Sequence, residues 1–94
     1  MEFESPWKKA DENDQKLILE LKKELASGHA LYDKDVEVLA RRLDNDDVLF
    51  KIKSTPICYA LVHLTWMGKV DPNPKFPWTI IYNSLEEFEQ DLES

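Results

Sequence analysis

An α+β domain is the fold class this sequence predicts: a mostly antiparallel four-stranded sheet with two helices packed on one face, in the order α-β-β-β-β-α. Three observations predict it. Apolar residues recur at helical spacing across 11–27, short strand-like runs follow between 36 and 82, and Ser84 opens a second amphipathic segment.

The first helix is expected over 11–27. Asp11, Glu12 and Asp14 stand at its start and Lys22 and Lys23 toward its end, as the helix dipole favours. Leu17, Ile18, Leu21 and Leu25 form its apolar face, and Gly28 is placed to serve as a left-handed C-terminal cap. Residues 1–10 read as an N-terminal extension of one domain, with 11–94 as its core.

Two strands, 36–43 and 48–53, flank Asp44-Asn45-Asp46-Asp47, whose short polar side chains bond to nearby backbone and favour a turn. A third strand over 57–66 is nearly continuous in apolar residues, as expected of a central strand. Pro72, Pro74 and Pro77 mark a loop, because proline cannot donate to a sheet ladder. Residues 78–82 then form a fourth strand, and Ser84-Leu85-Glu86-Glu87 has the capping-box pattern of a last helix.

Alternation sorts the strands into two faces. Val36, Val38, Ala40, Val48, Phe50, Ile52, Cys58, Ala60, Val62, Leu64 and Trp66 are expected to meet the helices. The other face gathers Leu39, Arg41, Leu49, Lys51, Lys53, Tyr59, Leu61 and His63 and is expected to be open. Such a mixed basic, aromatic and aliphatic patch suits a protein interface. An ordinary solvated face, with Lys and Arg stems lying over aliphatic side chains, has the same composition.

Composition narrows the function. The 94 residues suffice for one core and leave no second lobe to close over a substrate. Twelve basic against 19 acidic residues give a net charge of -7, which argues against nucleic-acid binding; it suits a basic partner, and on composition alone it does no more than keep a small protein soluble. One cysteine, Cys58, allows neither an internal disulfide nor a cysteine-based metal site. The acidic start, Met1 to Trp7, lacks the basic-then-apolar order of a signal peptide, and no apolar run is long enough to span a bilayer. A cytoplasmic location without membrane partners is the expectation.

Candidate chemistry mostly fails on inspection. With two glycines there is no phosphate-cradling loop, so no nucleotide cofactor is expected. Asp44, Asp46 and Asp47 lack the central Gly and distal Glu of a calcium loop, so no metal is expected. His29 reads as a surface or capping residue. His63 has no nucleophile and orienting group at recognisable spacing. No catalytic residue and no enzyme activity are expected.

The partner-binding candidates are the acidic turn Asp44, Asp46 and Asp47, the acidic helix through Glu86 and Glu87, and Phe76 and Trp78 at the end of the proline-rich loop. Aromatic residues on a pre-ordered loop make good interface anchors, and they serve equally well to plug the end of a core. An alternative site is the open face, through Arg41, Lys51, Tyr59 and His63.

The run Tyr59-Ala60-Leu61-Val62-His63-Leu64-Thr65-Trp66, then Gly68-Lys69, Phe76-Pro77-Trp78-Thr79 and the acidic last helix, resembles a group of small uncharacterised bacterial proteins over about residues 28–92. In size and acidity the chain is also similar to immunity proteins, which neutralise a co-encoded bacterial toxin. That second likeness is one of general character and implies no particular binding residues. It implies a non-catalytic domain that inhibits a basic toxin domain, with oligomeric state left open. The alternative is a small ligand-binding or enzymatic domain using the open face around Tyr59 and His63.

Overall fold

The computed structural model describes residues 7–45, 47–54, 56–66, 68–70, 73 and 76–93. The chain runs through β1 (Trp7–Lys9), a 3-10 helix (Glu12–Lys16), α1 (Leu17–Glu24), β2 (Val36–Arg42), β3 (Asp47–Ile52), β4 (Cys58–His63), β5 (Trp78–Tyr82) and α2 (Leu85–Glu93). All neighbouring strands pair antiparallel in the order β1-β2-β3-β4-β5. The class is α+β.

Among the described residues the sheet has five strands where four were expected. The additional one comes from the stretch read as an extension: Trp7–Lys9 pairs with Ala40–Arg42, and the Trp7 side chain is buried. The expected first helix is also divided. Asp11 caps a 3-10 turn, its carboxylate accepting from the Asp14 N–H while the Asp14 carboxylate accepts from the Asp11 N–H. The α-helix then runs only from Leu17 to Glu24, and Leu25 is already extended. Gly28 makes no left-handed cap; the glycine at positive φ is Gly68.

The two helices lie on opposite faces, not on one. Leu17, Leu21 and Leu25 pack with Val36, Val38, Val48, Phe50, Ile52, Ala60, Val62 and Leu64 on one face. On the other, Phe88 and Leu85 of α2 pack with Trp7, Ala40, Leu49 and Tyr82 and with half-buried Leu39, Tyr59 and Leu61. The physical reason lies in the face expected to be open. It holds too much aliphatic and aromatic surface to leave in water at about 25 cal/mol per Å², and the apolar stripe of α2 covers it. Leu49 is consequently fully buried instead of outward.

A bulge in β2 moves two further residues across the sheet. Val38 pairs with Phe50, but Ala40 pairs with Leu49 and Arg41 with Val48. The additional residue, Leu39, reverses the alternation. Ala40 therefore joins the α2 face and Arg41 the α1 face. Outside the bulge, the Gln15 amide closes the β2 backbone, donating to the Val38 carbonyl and accepting from the Val38 N–H, both at 3.2 Å.

Trp66 departs from the expected third strand. The strand stops at His63, and Trp66 sits at φ 59 with half its surface exposed.

Candidate functional site

The acidic turn is largely occupied by its own neighbours. Arg42 Nε donates to Asp44 Oδ1 at 2.6 Å. Asp47 Oδ1 lies 2.7 Å from His63 Nδ1, and Asp47 Oδ2 accepts from Asn45 at 3.3 Å. Asp46 lies outside the described residues. Two of the three carboxylates thus face cationic or titratable partners, which weakens the turn as an acidic knob.

The last helix offers more. Ser84 Oγ accepts from the Glu87 N–H at 3.2 Å, and Glu87 Oε2 reaches back to the Asn83 N–H at 2.8 Å. Glu87 therefore serves the helix start. Glu86 and Glu89 are exposed, and the helix carries no basic residue. Its last turn is tied to the sheet through the Tyr82 hydroxyl, which donates to Asp91 Oδ2.

Phe76 and Trp78 both face solvent, Trp78 with 56% of its surface. They do not plug the core. Trp78 starts β5, where Ile80 and Ile81 are also exposed at 37% and 45%. Strand register places Trp78, Ile80 and Tyr82 on the α2 face, opposite His63, Leu61 and Tyr59.

The alternative site is dispersed. Arg41 sits on the α1 face, where its Nε lies 3.3 Å from Asp14 Oδ1. Tyr59 packs half-buried against the α2 cluster, and Lys51 is half-buried. Only His63 is well exposed, its ring held by Asp47. Among the described residues no three His, Cys, Asp or Glu side chains converge on a metal position. An open cavity of about 410 Å³ lies elsewhere, between Lys22 and Leu25 of the first helical region and Tyr32–Asp35.

Two buried polar residues escaped the sequence reading. His29 is a bridge inside the fold and not a surface residue: Nδ1 accepts from the Leu31 N–H at 3.0 Å, which leaves Nε2 to donate to the Pro77 carbonyl at 2.9 Å. Glu24 is buried at the end of α1. It accepts from the Thr65 N–H (2.8 Å), the Thr65 hydroxyl (2.9 Å) and the Trp66 N–H (3.0 Å), fixing the left-handed Trp66. Glu20, one turn earlier, accepts from the Gly68 N–H at 3.2 Å. These contacts set where β4 ends and the loop to β5 begins. A Glu at i+4 from another Glu is the only sequence signal for them.

Burial and the neighbouring Asp91 push the Tyr82 phenol up to about 12 from 10.0. The folded state therefore holds this proton more tightly than the unfolded chain. Its stabilising contribution is complete below pH 10 and disappears as the pH rises toward about 12. A tyrosinate absorbance step near that pH is expected, and it should vanish in Tyr82→Phe together with part of the alkaline loss of stability. An unchanged titration in the variant would contradict the Tyr82–Asp91 bond.

The fold and these surfaces define an α+β domain whose sheet lies between two helices, with an acidic helix beside an exposed apolar strand. No family model, curated protein or solved structure matches the chain. Among the described residues no helix is long and apolar enough to cross a membrane.

Proposed function

We propose that this chain is a non-catalytic, acidic protein-binding domain of the immunity or antitoxin type, acting on a basic toxin domain. One surface carries the reading. The solvent side of α2 presents Glu86 and Glu89 without a basic residue, on the same sheet face as the exposed Trp78 and Ile80 of β5. An apolar anchor bordered by charge is the anatomy of a protein interface. Glu89 lies past the first turn, where the helix dipole no longer favours acid, so α2 carries charge beyond what its start uses. The partner expected is a cationic protein drawn in by that field.

The first test is whether a basic toxin domain is encoded beside this chain, and the second is stopped-flow association with that domain. Glu86→Gln combined with Glu89→Gln is expected to slow association about 3- to 10-fold at low salt, with little change in dissociation. Asp44→Asn with Asp47→Asn should matter less, since Arg42 and His63 already face those carboxylates. Absence of a complex at every salt concentration sinks the reading.

A small-ligand role has one observation in its favour, the exposed His63 ring oriented by Asp47 at 2.7 Å. Ligand-dependent shifts of the His63 ring signals would support it, and their absence across anionic and aromatic ligands would remove it.

A further inference from the structure

The unpaired edges of a sheet invite another strand, and proteins usually blunt them with charge, short length or a covering group. Among the described residues this protein does so at the β1 edge. β1 has three residues, two of them the exposed Lys8 and Lys9. Where β1 stops, Gln15 occupies both the N–H and the carbonyl of Val38.

Among the described residues the opposite edge shows none of these devices. β5 reads Trp78-Thr79-Ile80-Ile81-Tyr82, without charge or proline, and its register with β4 is unbroken from Tyr59–Tyr82 to His63–Trp78. Among the described residues no strand pairs with its outer side. Apolar side chains are exposed on both faces of this edge, Trp78 and Ile80 on one and Ile81 on the other.

We propose that the free edge of β5 receives an extended, basic segment of a partner protein as a sixth strand. The inference rests on the protein-binding reading above and supplies its place and chemistry. Main-chain hydrogen bonds would provide affinity, and alternate side chains would meet Trp78 and Ile80 on one face and Ile81 on the other.

Charge selects the occupant. A second copy paired antiparallel through β5 would be related by a two-fold axis perpendicular to the sheet. Both α2 helices would then lie on the same side of the joined sheet, close to the dyad, because α2 is anchored over β5 through Phe88 and Tyr82. Each brings Glu86, Glu87, Glu89 and Asp91 with no basic residue, in a chain of net charge -7. Those charges repel a copy of the same chain and attract a segment rich in Lys or Arg.

The experiment adds a synthetic peptide alternating Lys with Ile and Val to the intact chain and reads amide exchange by NMR. Two further peptides carry N-methyl groups on alternate residues, one set on each edge of the strand, and a fourth has Glu in place of Lys. Amides of Trp78–Tyr82 are expected to exchange about tenfold more slowly with the Lys peptide, and one methylated peptide should bind about tenfold more weakly than the other. The Glu peptide should not bind. Binding without added protection in 78–82, equal binding of both methylated peptides, or equal binding of the Glu peptide overturns the proposal. Concentration-dependent protection of 78–82 in the free chain assigns the edge to a second copy and also overturns it. If a basic toxin domain binds while β5 exchanges as before, docking at this edge is wrong and the protein-binding reading stands. If neither the peptide nor the toxin domain binds, both fall.

Discussion

Replacing Phe88 by Ala is expected to destabilise the fold by about 3–5 kcal/mol. Phe88 is fully buried, with ring centroids 5.4 Å from Trp7 and 5.6 Å from Tyr82 in edge-on contacts. It joins the first strand, the last strand and the last helix across one face of the sheet. Truncation removes its own buried surface and both aromatic contacts, and loosens the cover over Leu49, Tyr59 and Leu61. A domain of this size has a net stability of about 5–15 kcal/mol, so the variant should fall near the limit of folding. Urea unfolding measures it through the midpoint. A loss below about 1 kcal/mol would mean that α2 does not cover this face.

Glu24→Ala is expected to cost about 2–4 kcal/mol, because three donors at Thr65 and Trp66 lose their acceptor at once. The same residue gives a pH signature. Burial, together with the shared hydrogen bond to Glu20, raises the Glu24 carboxyl above its ordinary 4.5, against the pull of Thr65 and Trp66. The folded state thus binds this proton more tightly than the unfolded chain. Its contribution is complete below pH 4.5 and is lost as the pH rises through the elevated folded value. Relative to Glu24→Gln, which does not titrate there, the wild-type chain should therefore gain stability as the pH falls from neutral toward 4.5. Parallel pH profiles for the two proteins would show that Glu24 is not held in a desolvated site.

The elements most legible in the sequence are those specified by contiguous residues. Val48–Ile52 and Val36–Arg42 alternate strongly around a polar turn, and they pair across it. Trp78–Tyr82 lies between Pro77 and a helix cap, and its bounds are those expected, while Pro72 and Pro74 lie outside the described residues. Ser84 and Glu87 form their local bonds at the start of α2. The acidic character of α2 and the aromatic residue at the head of β5 were also legible, since both are properties of a few neighbouring residues.

Sequence by itself determined the α+β class, a mostly antiparallel sheet, the cap of the last helix and the excess of acid on it. Each follows from interactions spanning a few residues: turn chemistry, side-chain alternation and hydrogen bonds to nearby backbone. Tertiary structure decided the rest. Trp7–Lys9 became a strand only because β2 offered an edge, since three residues carry little strand preference alone. The bulge at Leu39 sent Arg41 to Asp14, and no local pattern marks it. Glu24 found its donors at Thr65 and Trp66, 41 and 42 residues away. Above all, the choice of face for α2 was a competition for buried area. The face that looked open held Leu49, Tyr59 and Leu61, and it was covered because water is a poorer neighbour for them than Phe88.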